Sequence, residues 1–255
     1  MEHLKVIKIG GNVIDNPDAL EAFLAKFATM DGAKILVHGG GAIASRTLKT
    51  MGIEPVMIEG RRVTDAATLQ VVTAVYAGLV NKNIVATLQK YGCNAAGLSG
   101  ADCNVIVSKK RPATPIDYGY VGDVEKVNPQ AFSMFLANGI APVVCAINHD
   151  ERGTLLNTNA DTVASSIAIA MSKLYDTELV MCFEKNGVLY DKDDDDSVIP
   201  QIDKSLFEQL KAEGKVNAGM LPKLKNAFDA IDAGVGKVVI KNSANLTDNS
   251  GTTIL

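Results

Sequence analysis

Basic residues do not dominate this 255-residue chain: 25 lysines and arginines stand against 29 acids, a formal net charge of −4. That balance argues against nucleic acid or an anionic membrane surface as the main partner, because both recruit strongly basic faces. Cysteine is scarce and scattered. Cys93, Cys103, Cys145 and Cys182 form no C-x-x-C pair, the pattern expected of buried, chemically silent thiols kept reduced in the cytoplasm. The three histidines lie equally far apart and offer no clustered set for structural zinc. No uninterrupted apolar run approaches the ~20 residues of a membrane span. Lys5 and Lys8 break the first apolar run, so nothing there reads as a signal peptide. A Walker A sequence is missing as well: "AGVGKVV" lacks both the first glycine and the hydroxyl residue.

What is present is the material for a large core. Hydrophobic residues make up 47% and charged residues 21%, enough for one big α/β domain or two closely joined lobes. Near-continuous apolar runs at 4–9, 33–37, 104–108, 141–147, 179–183 and 237–241 predict strands buried on both faces. Helical patterns lie between them. "NPDALEAFLAKFA" offers Asn16 as N-cap and Pro17 at the first helical position. The long stretch from Thr64 to Gly92 predicts a helix capped by Thr64 or Asp65, and "DTVASSIAIAMSKL", "SLFEQLKAEG" and "MLPKLKNAFDAIDAG" predict three more. Strands alternating with helices imply βαβ units and a mainly parallel sheet. Residues 109–128 break the pattern and predict a β-hairpin flap. The polar "NHDERGT" after a strand marks a boundary near residue 150.

Several residues look chemical. "VIKIGGNVID" ends a strand on Lys8 and then spills into Gly10 and Gly11, where backbone amides can gather at an anion that meets no Cβ. "VHGGGAIAS" repeats the device at Gly39, Gly40 and Gly41 and opens a helix, a context that favours an anion at the helix N-terminus. His38 beside it is expected to be packed or backbone-bonded. "GRRVTDAATL" places Arg61 and Arg62 where a guanidinium could clamp a carboxylate. In "NTNAD", Asn157, Asn159 and Asp161 alternate along an extended segment and are expected to point the same way, with Asp161 able to cap the following helix. Lys223 falls early in a helix, where a cation opposes the dipole unless an anion is bound. The "DKDDDDS" run predicts a solvated loop and no metal ligands, since adjacent carboxylates diverge and repel.

Two glycine turns, two isolated lysines, an aspartate and an arginine suit transfer of a phosphoryl group between two anions. Taken in order, "KIGGN", "VHGGGAI", "GRRVTD", "YVGDV", "NTNAD" and "GMLPKLKNA" resemble the amino acid kinase family, in its acylglutamate-phosphorylating branch, over essentially the whole chain. The resemblance implies a three-layer α-β-α sandwich around an open, mainly parallel eight-stranded sheet. It implies an N-terminal lobe, 1–150, for the acylglutamate and dimerisation, and a C-terminal lobe, 151–255, for ATP. The implied reaction makes an acyl phosphate on the side-chain carboxylate of N-acetyl-L-glutamate, the second step of arginine biosynthesis. Lys8 and Lys223 would stabilise the γ-phosphoryl, and Asp161 would hold both lysines. Gly10, Gly11, Lys8, Lys223 and Glu184 would face the nucleotide, while Gly39, Gly40, Arg62 and Asn157 would face the acylglutamate. Mg2+ would ride on the ATP phosphates and water, with no protein ligands.

The sequence departs from its relatives in two places. Glu184 and Lys185 replace the usual "T-D-V" contacts, and Arg61 replaces an aliphatic residue, which suggests a second carboxylate on a longer acyl group such as N-succinylglutamate. A chain that opens on its first strand, without an additional N-terminal helix, suggests a homodimer insensitive to arginine, with the 65–90 helix at the interface. Competing readings are glutamate 5-kinase, aspartokinase or uridylate kinase chemistry on the same fold, a non-catalytic ligand-binding protein, and a dinucleotide oxidoreductase built on "GGGAIA", which would leave Lys8, Asp161 and Lys223 without a task.

Overall fold

The computed structural model describes residues 1–191, 193–215 and 220–255. Lys192 of the aspartate run and Gly219 of the late motif therefore lie outside the described residues.

The chain opens with β1 (His3–Ile9), the short α1 (Gly11–Asp15), α2 (Pro17–Thr29), β2 (Ala33–His38) and α3 (Gly41–Thr50). A small hairpin, β3 (Met57–Ile58) and β4 (Arg61–Arg62), leads into one long helical run: α4 (Ala66–Thr73), a π-helical stretch (Ala74–Val80) and α5 (Asn81–Lys90). Then follow β5 (Ala95–Leu98), β6 (Ile106–Lys110), β7 (Gly122–Val127), α6 (Pro129–Ala137), β8 (Ala141–Cys145), β9 (Ile147–His149) and β10 (Leu155–Asn157). The second half holds α7 (Ala160–Met171), β11 (Asp176–Phe183), β12 (Gln201–Ile202), α8 (Lys204–Ala212), α9 (Leu221–Asp232), β13 (Lys237–Asn242) and β14 (Thr252–Ile254).

Eight strands form the central sheet, in the order β12-β14-β13-β11-β1-β2-β8-β5. All neighbours are parallel except β13 and β14. Strand alternation divides the core. Ile7, Ile9, Leu36, Val143, Val180 and Cys182 pack against α2, α3 and the 66–90 helical run, while Leu4, Val6, Ile35, Val37, Leu179 and Met181 pack against α6, α7, α8 and α9. This is the expected three-layer sandwich, and its apolar strands are those buried on both faces. The 66–90 run has the length and hydropathy of a membrane span. Its Val71, Val72, Val75, Ile84 and Leu88 belong to the core.

Local chemistry explains most boundaries. Asn16 accepts from Ala19 N and Asp65 from Thr68 N, as N-caps should. Several expectations need correcting. The 141–147 run splits at Ala146, with β8 in the main sheet and β9 in a four-stranded sheet, β10-β9-β6-β7. The expected flap is part of that second sheet: β6 and β7 are paired antiparallel, and Arg111 clamps Asp123 through both carboxylate oxygens. The expected strand at 104–108 begins only at Ile106, after a turn at Asp102–Asn104. Cys103 sits in that turn, exposed at φ 51°, so the cysteines are not all buried. Short β5, β14 and α6 carried no clear signal in the sequence.

Candidate active site

The site forms at the carboxyl end of the central strand. Residues leave β1 toward β2 on one side, whereas β11 reaches its other side from much later in the chain. Diverging connections of this kind leave a crevice at the strand ends. In register, Lys8 lies beside Val37 and Met181, and Ile9 beside His38 and Cys182. Both glycine turns therefore open into the same crevice.

Lys8 alternates with Val6 toward the α7 side of the sheet. It is buried, and its Nζ lies 2.7 Å from Asp161 Oδ1. The contact is an oblique ion pair rather than a well-aligned hydrogen bond, which leaves ammonium hydrogens for a ligand. Asp161 is free for this because Asn159, not Asp161, caps α7: Asn159 Oδ1 accepts from the amides of Asp161 and Thr162. The expectation that Asn157, Asn159 and Asp161 share one direction thus fails. Asn159 turns back to the helix, Asp161 reaches Lys8, and Asn157 Nδ2 donates to Thr64 Oγ1.

Lys223, on the first turn of α9, comes from the opposite half of the chain. Its Nζ lies 3.2 Å from the ring centroid of Phe183, and Lys8 Nζ lies 4.7 Å from the same centroid. One aromatic ring thus carries both ammonium groups. Burial lowers the Lys223 pKa to about 8, against the attraction of Asp161 and with the repulsion of Lys8. Asp161 contacts Lys8 directly and reaches Lys223 through space. Phe183 was legible only as a strand end, and nothing in the sequence marked it as a shared platform.

Gly10 and Gly11 differ from the loop expected of them. Gly10 is the N-cap of α1, and a Cβ there would meet Cys182 O at 3.1 Å, whereas a Cβ on Gly11 would meet nothing. Gly10 is needed for packing, and Gly11 borders open space. Glu184 is exposed, acts electrostatically on Lys223, and accepts from Asn242 Nδ2 through its carbonyl. Lys185 turns away to Asp195, 2.6 Å off. Among the described residues, no three His, Cys, Asp or Glu side chains gather closely enough to hold a metal ion.

A cavity of about 170 Å³ adjoins this cluster. Gly39, Gly40, Arg61, Arg62, Tyr76 and Asn157 line it. Arg62 is buried; Nη2 donates to Gly41 O and Ser45 Oγ, each at 2.8 Å, while Nε and Nη1 have no partner. A buried guanidinium with idle donors needs an acceptor that the protein does not supply. Arg61 is half-buried and lines the same cavity. His38 matches its expectation: Nδ1 donates to Gly39 O, Nε2 accepts from Asn81, and burial lowers its pKa to about 4.

This arrangement, with two convergent cations at the switch point of a parallel sheet beside an anion pocket, goes with the match of residues 3–242 to the amino acid kinase family, and the chain belongs to that family. Among curated relatives it is similar to acetylglutamate kinase of Cytophaga hutchinsonii, 54% identical and covering 97% of this chain and 94% of the relative. It is also similar to acetylglutamate kinase of Phocaeicola vulgatus, 53% identical and covering 99% and 98%. Among solved structures, a Streptococcus mutans UA159 protein superposes with a TM-score of 0.81 at 27% identity, covering 99% of this chain and 98% of that one. Giardia lamblia carbamate kinase bound to AMP-PNP shares the fold at 15% identity, with a TM-score of 0.69 and 100% and 98% coverage.

Proposed function

We propose that this chain transfers the γ-phosphoryl group of ATP to the side-chain carboxylate of N-acetyl-L-glutamate, giving an acyl phosphate, the step that relatives named acetylglutamate kinase occupy in arginine biosynthesis. The observation that carries this reading is the convergence of Lys8 and Lys223 on Phe183, beside a pocket whose buried Arg62 leaves Nε and Nη1 without an acceptor.

The acceptor is a carboxylate, ionised at neutral pH. No proton has to be removed, so the task is charge neutralisation and alignment. A carboxylate oxygen bonds to the γ-phosphorus as the bond to the β-phosphate oxygen breaks, and ADP leaves. Lys8 and Lys223 neutralise the equatorial oxygens, and Asp161 keeps Lys8 in place. Gly10 and Gly11 admit the phosphates, and Glu184 borders the nucleotide. Gly39, Gly40, Arg62 and Asn157 hold the acylated amino acid. MgATP is the substrate, its metal carried by phosphates and water. In this reading 1–150 supplies most of the acylglutamate side and 151–255 the nucleotide side, in a cytoplasmic homodimer.

Trapping the acyl phosphate with hydroxylamine across a panel of acylated glutamates, glutamate and aspartate, with ADP release followed when uridylate is the acceptor, tests the reaction. Product from N-acetyl-L-glutamate is expected; product only from another member would overturn it. An N-succinylglutamate arm asks whether Arg61 meets a second carboxylate. Lys8→Ala and Lys223→Ala should each lower kcat roughly 100- to 1000-fold, with a smaller change in ATP affinity. Wild-type turnover in either variant would remove the role given to that lysine.

A further inference from the structure

We infer that Tyr76 donates its phenol hydrogen to the α-carboxylate of the acylated amino acid and so helps determine which ligands the Arg62 pocket accepts; this rests on the function proposed above. Tyr76 stands in the π-helical stretch, only 6% exposed, and lines the same cavity as Arg62. Inserted π-turns are frequent at functional sites. Its ring lies against Gly40, where a Cβ would stand 3.0 Å from Cδ1, so the ring is held in place. Its hydroxyl points past Gly41, where a Cβ would lie 3.9 Å from Oη.

Burial raises the phenol pKa, and the positive charge of Arg62 pulls against that rise. The hydroxyl therefore keeps its hydrogen at neutral pH. Arg62 has donors only, so toward it the phenol oxygen must accept. The single O–H is left for another direction, and the open direction is the cavity. Together with the idle Nε and Nη1 of Arg62, it completes a set of donors that a carboxylate satisfies with two oxygens. The other carboxylate of the ligand must reach Lys8 and Lys223, which leaves the α-carboxylate for this end.

The test compares wild type with Tyr76→Phe, which retains the ring on Gly40. N-acetyl-L-glutamate binding is followed by calorimetry and its phosphorylation by initial rates. A lost hydrogen bond to a charged acceptor should raise Kd and KM for N-acetyl-L-glutamate about tenfold or more, leaving kcat and KM for ATP nearly unchanged. The variant's penalty should vanish with 4-acetamidobutanoate, the same ligand without its α-carboxylate. That comparison is made within one variant, so a change in stability would not imitate it. Equal affinity of both proteins for N-acetyl-L-glutamate, or a penalty that persists with the shortened ligand, overturns the inference while leaving the kinase reading intact. Failure of wild type to bind or phosphorylate N-acetyl-L-glutamate rejects both.

Discussion

At the scale of single residues, the site is built from groups held where water would normally compete. Lys223 illustrates the cost and use of this. With a pKa of about 8, it is charged at pH 7 and loses its proton as pH rises through 8. If the charged form stabilises the transferring group, kcat/KM for ATP should fall on the alkaline side with an apparent pKa near 8, and Lys223→Arg should move that limb upward. His38 works in the opposite range. Its folded-state pKa of about 4 lies below the ordinary 6.5, so the unfolded chain takes up a proton first as pH falls. Stability is unaffected by this group above pH 6.5 and declines between 6.5 and 4, by about 3 kcal/mol in all. Urea unfolding at pH 7.5 and 4.5 should reveal this decline, and His38→Gln should lessen it. The sequence made Lys8, Lys223, Asp161, Arg62 and the glycines legible, because charges and missing side chains at strand ends are conspicuous. Phe183 and Tyr76 were not, because an aromatic in an apolar run reads as core until a cation or a cavity is found against it.

At the scale of elements, α7 shows how a cap controls a charge. Asn159 satisfies two amides at the helix start, so Asp161 need not. Asn159→Ala should cost about 1 kcal/mol in unfolding free energy. It should also lower kcat, as Asp161 is drawn back to the open amides and away from Lys8, whereas Asn159→Asp should retain both properties. Unfolding curves and initial rates on the same preparations decide this. The helix starts at Asn16 and Asp65 were readable because their caps are local. The split at Ala146 was not, because whether an apolar run stays in one sheet depends on partners far away: β8 pairs with β2 and β5, whereas β9 pairs with β6 and β10.

At the scale of the whole molecule, the 66–90 helical run presents Leu79 about half exposed, at 53%, next to exposed Gly78. For the homodimer proposed above, this face is the expected contact. Sedimentation equilibrium should give a dimer for wild type and a monomer for Leu79→Glu; a monomeric wild type would remove the assignment. Alternation of strands and helices revealed the layered class of the fold. Strand order remained hidden, since it is fixed by pairings between residues more than 170 positions apart.

That pairing has a consequence for how the protein is made. β1 is synthesised long before β11 yet occupies the middle of the sheet, and all seven of its residues pair with that later strand. Until β11 emerges, one side of β1 offers unpaired peptide groups flanked by Leu4, Val6, Ile7 and Ile9, a surface prone to capture by other chains. A nascent chain stalled before residue 176 should therefore be a client of chaperones, and release from them should coincide with the arrival of the strand that seals the centre.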